Sequence, residues 1–266
     1  MASKKAILAV SFGTSYNDSC EKTIGATEKL IAEKFPDWEV RRAFTSRMII
    51  KKLKERDGKK IDYIDEALQR LADEGFDAVI VQPTHIMNGT EYDFVADFAC
   101  GFKDKFRCLR VGKPLLTSSE DYDKAVDAIA SGIAAPAKEM AGPDAAVVLM
   151  GHGSEHFANA TYSQLQLALW LSGMEDVYVT TVEGFPGFGD TMSMMKGMGI
   201  RNVVIQPFML VAGDHANNDM AGDEPGSLKC VLEHNGYRVF PVIKGLGEIP
   251  EFRGMFVDHI SDAMKK

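Results

Sequence analysis

The chain has 266 residues, of which 45% are hydrophobic and 26% are charged, and its formal net charge is −8. These values are typical of a soluble globular protein with room for two halves of roughly 130 residues each. The negative charge and the lack of a tract rich in Lys and Arg exclude a general nucleic-acid binder, and no apolar run is long enough to predict a membrane partner.

The four cysteines are scattered and form no CxxC motif, which disfavours a disulfide framework and a zinc knuckle. The starting residues MASKK run directly into the short apolar run AILAV, which is too short for the apolar part of a signal peptide. We therefore expect a cytoplasmic protein. The sequence leaves the oligomeric state open, and a homo-oligomer is compatible with it.

Strands and helices alternate in the first half. Short apolar runs predict strands at 5–10, 38–44, 78–82 and 109–111, and helical spacing predicts helices at 17–35, 47–56, 64–74 and 92–105. This alternation predicts a parallel sheet with helices on both faces. The basic stretch at 47–56, RMIIKKLKER, has two interpretations: an amphipathic helix with a solvated face, or the basic lip of a cleft for a polycarboxylate ligand.

The second half repeats the alternation. A helix at 118–140 is the expected connector, and further helices are predicted at 162–172, 191–198, 227–235 and 251–264. Strands are predicted at 145–150, 177–182 and 237–242, and another begins at Val203 and leads into a polar loop that carries His215. We expect two α/β domains, 1–142 and 143–266, with the terminal helix 251–264 able to pack on the first.

Two sequence matches between the halves place histidines at strand ends. Aligning the Gln-Pro pair of VIVQPTHIMNGTEY with that of VVIQPFMLVAGDHANNDM pairs Glu91 with His215. Aligning AILAVSFGTS with AVVLMGHGS pairs Phe12 with His152. Because ligands bind at the carboxyl ends of parallel strands, both histidines are candidate functional residues.

A third match compares the end of the strand at 40–43 with the end of the strand at 177–182, and pairs Phe44 with Glu183. The second half would then present two imidazoles and a carboxylate, opposite two aromatic rings and Glu91. Such ligands without thiolate favour a borderline divalent ion such as Co²⁺, Ni²⁺, Fe²⁺ or Zn²⁺. Neutral imidazole is also a proton acceptor near pH 7. A cleft with the two imidazoles and the carboxylate on one side and the aromatic rings on the other would suit a flat apolar molecule with a polar centre.

Each candidate has a simpler structural explanation. His215 could be a solvated loop histidine, Glu183 could cap a helix, and the methionines near 192–198 are better explained as core filling than as soft metal ligands. His85 could line the cleft, although a hydrogen-bonded core histidine is the better interpretation. No Walker A motif, dinucleotide fingerprint or HExxH motif is present.

Several segments together resemble one enzyme family. AVSFGTS, AFTSRMI, QPTHIMNGTEYD, GKPLLTS, MGHG, VEGFP and PFMLVAGDHANNDM are similar to the anaerobic sirohydrochlorin cobaltochelatases of cobalamin biosynthesis, which are class II chelatases related in fold to ferrochelatase. The resemblance covers essentially the whole chain. The order and spacing of GHG, VEGFP and VAGDHANND make it specific.

The resemblance implies two flavodoxin-like domains with the tetrapyrrole in a cleft between them. It implies insertion of Co²⁺, with Fe²⁺ or Ni²⁺ as other candidate metals, into sirohydrochlorin without a nucleotide. His152, Glu183 and His215 match the metal-binding and catalytic set of that family. The aromatic rings of Phe12 and Phe44 are then expected near the apolar face of the substrate.

Two further residues are expected to line the substrate cleft. Arg47 is the first candidate for binding a substrate carboxylate, and Glu91 lies on the wall opposite the metal ligands. Two other functions remain open at this point: a hydrolase in which the two histidines hold Zn²⁺ and Glu183 activates water, and a non-enzymatic carrier of tetrapyrrole or metal.

Overall fold

The computed structural model describes residues 4–265, which form two compact α/β units. The first unit runs up to Thr117 and includes the chain again from Phe252 onward. The second unit is Ser118–Glu251.

Within the described part of the first unit, strands and helices alternate along the chain. The strands are β1 (Lys5–Ser11), β2 (Glu39–Phe44), β3 (Ala78–Pro83) and β4 (Cys108–Val111). The α-helices are α1 (Asn17–Cys20), α2 (Ala26–Lys34), α3 (Arg47–Asp57), α4 (Ile64–Asp73) and α5 (Thr90–Gly101). A π-helical turn, Glu21–Gly25, joins α1 to α2, and a 3₁₀ turn, Lys103–Lys105, follows α5.

The second unit has the same alternation. Its strands are β5 (Ala146–Gly151), β6 (Val177–Thr181), β7 (Asn202–Pro207) and β8 (Arg238–Pro241). Its α-helices are α6 (Ser119–Ile129), α7 (Ala135–Ala141), α8 (Ala160–Leu171), α9 (Phe188–Met195) and α10 (Leu228–His234). The last helix of the chain, α11 (Pro250–Lys265), returns to the first unit. The π-helical turns of the second unit are Ala130–Ala134 and Ala216–Met220, and its 3₁₀ turns are Phe157–Asn159 and Leu246–Glu248. Across residues 4–265, no helix is both long and apolar enough to span a bilayer.

The two sheets have the same topology. The strand orders are β2-β1-β3-β4 and β6-β5-β7-β8, and every neighbouring pair is parallel. This confirms the predicted α/β fold with two similar flavodoxin-like units. Because all strands of a unit point the same way, the loops after β5, β6 and β7 emerge at one edge of the sheet, where α/β proteins bind ligands.

Helices cover both faces of the first sheet because the side chains of its strands alternate. Leu8 of β1 packs in a cluster with Leu68 of α4, whereas Ile7 packs on the other face with Ile31 of α2 and Ile260 of α11. All five side chains are fully buried, and burial of each contributes about 1.5–3 kcal/mol. The terminal helix therefore completes the core of the first unit.

The division between the units differs from the expected division at 142/143. Helix α6 packs against α8, so 118–142 belongs to the second unit. Helix α11 belongs to the first unit, where Nη1 of Arg110 donates hydrogen bonds to the carbonyl oxygens of Ala263 (2.9 Å) and Met264 (3.1 Å). Arg110 thereby satisfies carbonyl groups that the end of a helix leaves without intrahelical partners.

The registers of the two sheets correct one of the matches between the halves. Ser11 is the partner of Phe44 in the β1–β2 pair, and Gly151 is the partner of Thr181 in the β5–β6 pair. Phe44 therefore corresponds to Thr181, and the match of Phe44 with Glu183 is wrong by two residues. The match relied on where the apolar run ends, which does not fix the register between strands.

Backbone hydrogen bonds identify the true counterpart of Glu183. The amide of Glu183 donates to the carbonyl of His152 (2.8 Å), just as the amide of Ser46 donates to the carbonyl of Phe12 (3.2 Å). Ser46 is the N-cap of α3, where its hydroxyl accepts a hydrogen bond from the amide of Ile49. The first unit thus has a helix cap at the position where the second unit has an exposed carboxylate.

The other two matches are confirmed by the register. Phe12 directly follows β1 and His152 directly follows β5, and these two strands hold the same position in the strand order of their sheets. The two Gln-Pro pairs occupy the same register position in β3 and β7. The loops after them have equal length and close with matching backbone hydrogen bonds, so Glu91 corresponds to His215.

Candidate metal and active site

His152 follows the end of β5 on a tight turn. Its Nδ1 lies 2.9 Å from the carbonyl oxygen of Gly153, and its side chain is 47% exposed. Because a carbonyl oxygen can only accept a hydrogen bond, the neutral imidazole carries its proton on Nδ1. The lone pair of Nε2 is therefore available to a metal ion or a proton.

Tyr162 supports this turn from inside the unit. Its ring lies against Gly151, at a position that a β-carbon on Gly151 would occupy, and its hydroxyl hydrogen-bonds with the backbone of His152 and Gly153. Burial raises the pKa of Tyr162 to about 12, so the hydroxyl stays neutral. Tyr162 was not among the residues expected at the site.

Glu183 lies on a short loop that returns to the end of β6. The loop closes through a hydrogen bond from the amide of Thr181 to the carbonyl of Pro186 (2.7 Å), and the Phe185–Pro186 peptide bond is cis. Oε2 of Glu183 lies 3.9 Å from Nδ1 of His152, which is too far for a hydrogen bond. The carboxylate is 60% exposed, so its side chain can change rotamer without disturbing the core.

Asn159 joins the His152 loop to the Glu183 loop. Its Oδ1 accepts a hydrogen bond from the amide of Ser154 (3.0 Å), and its Nδ2 donates one to the carbonyl of Phe185 (2.7 Å). The two loops are therefore cross-linked by one amide side chain. Sequence reasoning missed Asn159 because its partners are backbone groups of loops that are separated along the chain.

His215 lies at the start of a helical segment, not in the polar loop that the sequence predicted. It precedes the π-helical turn Ala216–Met220 and is followed in it by Asp219. Ala216 and Met220 are fully buried in the core cluster of the second unit, which anchors the turn. Nδ1 of His215 and Oδ2 of Asp219 are 2.7 Å apart on the more exposed side of the turn.

The structure brings the two histidines together. The ring centroids of His152 and His215 are 4.6 Å apart, and the ring planes meet at 87°. His152 is thus next to both other predicted ligands. Among residues 4–265, no three His, Cys, Asp or Glu side chains already form a complete ligand set, so three-point binding by His152, Glu183 and His215 requires side-chain rotation.

The two aromatic residues expected near the substrate have different environments. Phe12 is 48% exposed at the carboxyl edge of the first sheet. Phe44 is fully buried, with its ring packed against Gly13. The expectation that Phe44 contacts a ligand is therefore wrong, because a side chain without accessible surface cannot meet one in this structure.

Arg47 is exposed at the start of α3. Its guanidinium lies 3.7 Å from the ring centroid of Tyr63 and 3.7 Å from the carboxylate of Asp65, and 66% of its side chain is accessible. Most of its hydrogen-bonding capacity therefore faces solvent. The stacked guanidinium is restrained but can still bind an anion.

Glu91 forms part of a polar group in the first unit. Its Oε2 accepts a hydrogen bond from the hydroxyl of Thr45 (2.9 Å) and lies 4.0 Å from Nε2 of His85. His85 was expected to be a hydrogen-bonded core histidine. It is largely buried, with 12% of its side chain exposed, but neither ring nitrogen has a hydrogen-bond partner. Burial lowers the pKa of His85 to about 4.

The buried imidazole of His85 makes stability depend on pH. Its folded-state pKa of about 4 lies below the value near 6.5 of the unfolded chain, so the unfolded state binds the proton first as pH falls. This contribution to stability is complete above pH 6.5 and is lost as pH falls toward 4. We expect a loss of roughly 2 kcal/mol at pH 5 from this group alone.

Urea unfolding at pH 7.5 and pH 5 measures this effect in the wild type and in His85→Gln. The variant should lose about 2 kcal/mol less than the wild type between the two pH values. Equal losses would show that His85 is not the group responsible. His234→Gln is the matched control, because His234 is exposed at the end of α10.

The fold is shared with chelatases of known structure. SirB from Bacillus subtilis with Fe³⁺ matches with a TM-score of 0.67 and 16% identity, covering 98% of this chain and 95% of that one. The sirohydrochlorin chelatase SirB from Bacillus subtilis subspecies spizizenii in complex with cobalt matches with a TM-score of 0.64 and 14% identity, covering 98% and 96%. At this identity the likeness establishes the fold alone, which is that of two α/β units.

Sequence comparison identifies the family. The family model described as cobalt chelatase (CbiK) matches residues 5–265, and the chain belongs to that family. The sirohydrochlorin cobaltochelatase of Salmonella typhimurium is 41% identical over 261 residues, which are 98% of this chain and 97% of the relative. The sirohydrochlorin cobaltochelatase CbiKC of Nitratidesulfovibrio vulgaris is 36% identical over 263 residues, covering 98% and 91%.

Proposed function

We propose that the protein inserts Co²⁺ into sirohydrochlorin, as an enzyme of anaerobic cobalamin biosynthesis, and that it does so without a nucleotide. The observation that carries the proposal is the pair of adjacent imidazoles of His152 and His215 at the carboxyl edge of the second sheet. Family membership and the names of the two relatives support the same metal and the same tetrapyrrole. Fe²⁺ and Ni²⁺ suit the same ligand types, so they are competing metals in any assay.

The ion is proposed to bind to His152, Glu183 and His215. Its capture uses Nε2 of His152, which is the nitrogen left with a lone pair by the hydrogen bond to Gly153. Glu183 supplies a negative charge and can rotate, since it is 60% exposed and has no hydrogen bond to His152. These three donors replace part of the water shell of the ion. Because the two imidazoles are neutral, the site binds the ion weakly enough to release it to the tetrapyrrole.

Metal insertion replaces two pyrrole N–H protons by one divalent ion, so two protons must leave the macrocycle. An imidazole that releases the ion regains its lone pair and is then a base suited to accept a proton near pH 7. The overall change is Co²⁺ plus the metal-free ring giving the cobalt complex and two protons. No phosphoryl group enters this balance, and the proposal is that the reaction runs without a nucleotide.

The first unit is proposed to contribute contacts to the tetrapyrrole through Phe12, Arg47 and Glu91. All three have accessible side chains. A carboxylate-rich substrate needs local cations in a chain with a net charge of −8, and Arg47 is restrained by its stacking on Tyr63. The four cysteines are free thiols, which supports placing the reaction in the cytoplasm.

The proposal is tested by following the visible spectrum of sirohydrochlorin with catalytic amounts of the protein in nucleotide-free buffer. We expect conversion to the cobalt complex to be faster with protein than without it, and added ATP to have no effect. Parallel runs with Fe²⁺ and Ni²⁺ establish the metal preference. A requirement for ATP, or a rate equal to that of the protein-free mixture, would contradict the proposal.

A further inference from the structure

The two histidines of the site have different hydrogen-bond partners behind them. Nδ1 of His152 faces the neutral carbonyl of Gly153 at 2.9 Å, whereas Nδ1 of His215 faces the carboxylate of Asp219 at 2.7 Å. A carboxylate is the stronger acceptor, and its hydrogen bond to an imidazole is charge-assisted when the ring becomes positive or binds a cation. The asymmetry gives Asp219 a role that the sequence did not indicate.

The backbone holds Asp219 in place. Asp219 lies four residues after His215, inside the π-helical turn whose first and last residues, Ala216 and Met220, are fully buried. At the start of the turn, Nδ2 of Asn217 donates to the carbonyl of Gly213 (2.7 Å). The turn is thus fixed by its core contacts and by its own side chains.

Close packing fixes the other end of the turn. The amide of Gly222 donates to the carbonyl of Asn218 at 3.0 Å. A β-carbon on Gly222 would collide with the backbone of Asn218, so the chain leaves the turn along a path open only to glycine. The spacing between His215 and Asp219 is therefore set by the fold of this segment.

We propose that Asp219 is a positioning residue for metal capture. It accepts the Nδ1–H hydrogen bond of His215, selects the tautomer whose lone pair is on Nε2, and fixes the ring edge-to-face with His152. Both imidazoles then present Nε2, and neither has to change tautomer when an ion arrives. The metal part of this inference rests on the proposed function, whereas the tautomer part does not.

The alternative is an ordinary surface pair of residues four apart in a helical segment. The side chains of His215 and Asp219 are 36% and 42% exposed, and exposed pairs of this kind contribute little to stability. Such a pair would leave the imidazole free to exchange between tautomers, and histidine in water favours the proton on Nε2. A positioning role predicts the opposite tautomer, with the proton on Nδ1.

The test is side-chain ¹⁵N NMR of the metal-free protein at a pH where His215 is neutral, in the wild type, Asp219→Asn and Asp219→Ala. We expect the wild type to show His215 with its proton on Nδ1. Asp219→Ala should shift it toward the mixture of tautomers seen in water, and Asp219→Asn should do so in part, because an amide can accept from Nδ1 or donate to it.

The second readout is the affinity of each variant for Co²⁺ alone, measured by titration without tetrapyrrole. Loss of an outer partner of a histidine ligand typically lowers metal affinity about 10–100-fold, and we expect a loss in this range for Asp219→Ala. Asp223→Asn is the matched control, since it removes one charge from a 94% exposed carboxylate that pairs with Lys229. It should change neither readout.

Two results would overturn the inference: a His215 that keeps its proton on Nδ1 in both Asp219 variants, or Co²⁺ affinities within twofold of the wild type. If the variants differ as expected but the wild type catalyses no insertion, the positioning role stands and the proposed function fails. If insertion is catalysed but neither readout changes, the proposed function stands and Asp219 is a surface residue.

Discussion

Replacing His152 by alanine is expected to lower the rate of Co²⁺ insertion by about 100-fold or more, because it removes both a metal donor and a base near the reacting nitrogens. His215→Ala should have a comparable effect. The fold should persist, since the His152 side chain is 47% exposed and its ring hydrogen-bonds to the carbonyl of the adjacent Gly153. Insertion rates at limiting Co²⁺, with circular dichroism to confirm folding, measure the effect.

His234→Ala is the matched control for both substitutions. His234 is exposed and ends α10, which leads into the amino end of β8, so it lies away from the edge that carries the site. It should insert Co²⁺ at the wild-type rate. A His152→Ala variant with a rate within threefold of the wild type would remove His152 from the site.

Gly153→Ala is expected to disrupt the site through its backbone. Gly153 has φ +83°, a conformation that costs a residue with a side chain about 1–2 kcal/mol. An added β-carbon would also lie 2.6 Å from the amide nitrogen of Gly184 and 2.9 Å from the carbonyl carbon of Glu183, on the neighbouring loop. These backbone atoms cannot yield without moving Glu183, so we expect a destabilisation of about 3 kcal/mol and at least a tenfold loss of insertion rate.

Gly173→Ala separates backbone strain from steric conflict. Gly173 has φ +87°, but a β-carbon there would meet nothing within 4 Å. Urea unfolding should therefore show a loss of about 1–2 kcal/mol, and the insertion rate should be unchanged. If Gly153→Ala is no more destabilising than Gly173→Ala and retains full activity, the loops of His152 and Glu183 are not packed as described.

The alternation of strands and helices could be predicted from the sequence because buried parallel strands produce short apolar runs. The runs that became β1 and β5 are fully buried apart from Lys5, and turn residues follow each of them. The recurrence of these apolar runs with their turn residues also revealed the similarity of the two halves. Aligning the halves identified His152 and His215 as candidate site residues from the sequence alone.

The match of Phe44 with Glu183 failed for an identifiable reason. Both lie near strand ends, but only the hydrogen-bond register shows that the loop after β6 places its acidic residue two positions further on. Register depends on contacts between strands that are distant in sequence. The local sequence pattern therefore cannot predict the register. It also cannot predict the burial of Phe44, which depends on the contact of its ring with Gly13 on another segment.

The residues that organise the site also escaped prediction. Asn159 and Tyr162 act on backbone groups of the His152 and Glu183 loops, so their roles depend on tertiary packing. Asp219 had a usable signal, since it lies four residues after His215. That signal appears only if the segment is helical, and its polar sequence, GDHANND, predicted a loop.

The unit to which the terminal helix belongs depends on which sheet it covers. Helix α11 carries Ile260 onto the face of the first sheet that also presents Ile7. Its apolar spacing shows that it packs on a core, and that spacing is the same whichever unit supplies the core. The sequence was enough to predict that there are two units, but only the structure shows at which residues they begin and end.

The most direct test of catalysis is the number of turnovers. The assay supplies sirohydrochlorin and Co²⁺ at about 100 equivalents per protein chain in nucleotide-free buffer. We expect many molecules of cobalt complex per chain, formed at a rate proportional to protein concentration. This activity should be lost in the His152→Ala, His215→Ala double variant. Formation of no more than one equivalent per chain would identify a carrier, and a double variant as active as the wild type would contradict the role of the histidine pair.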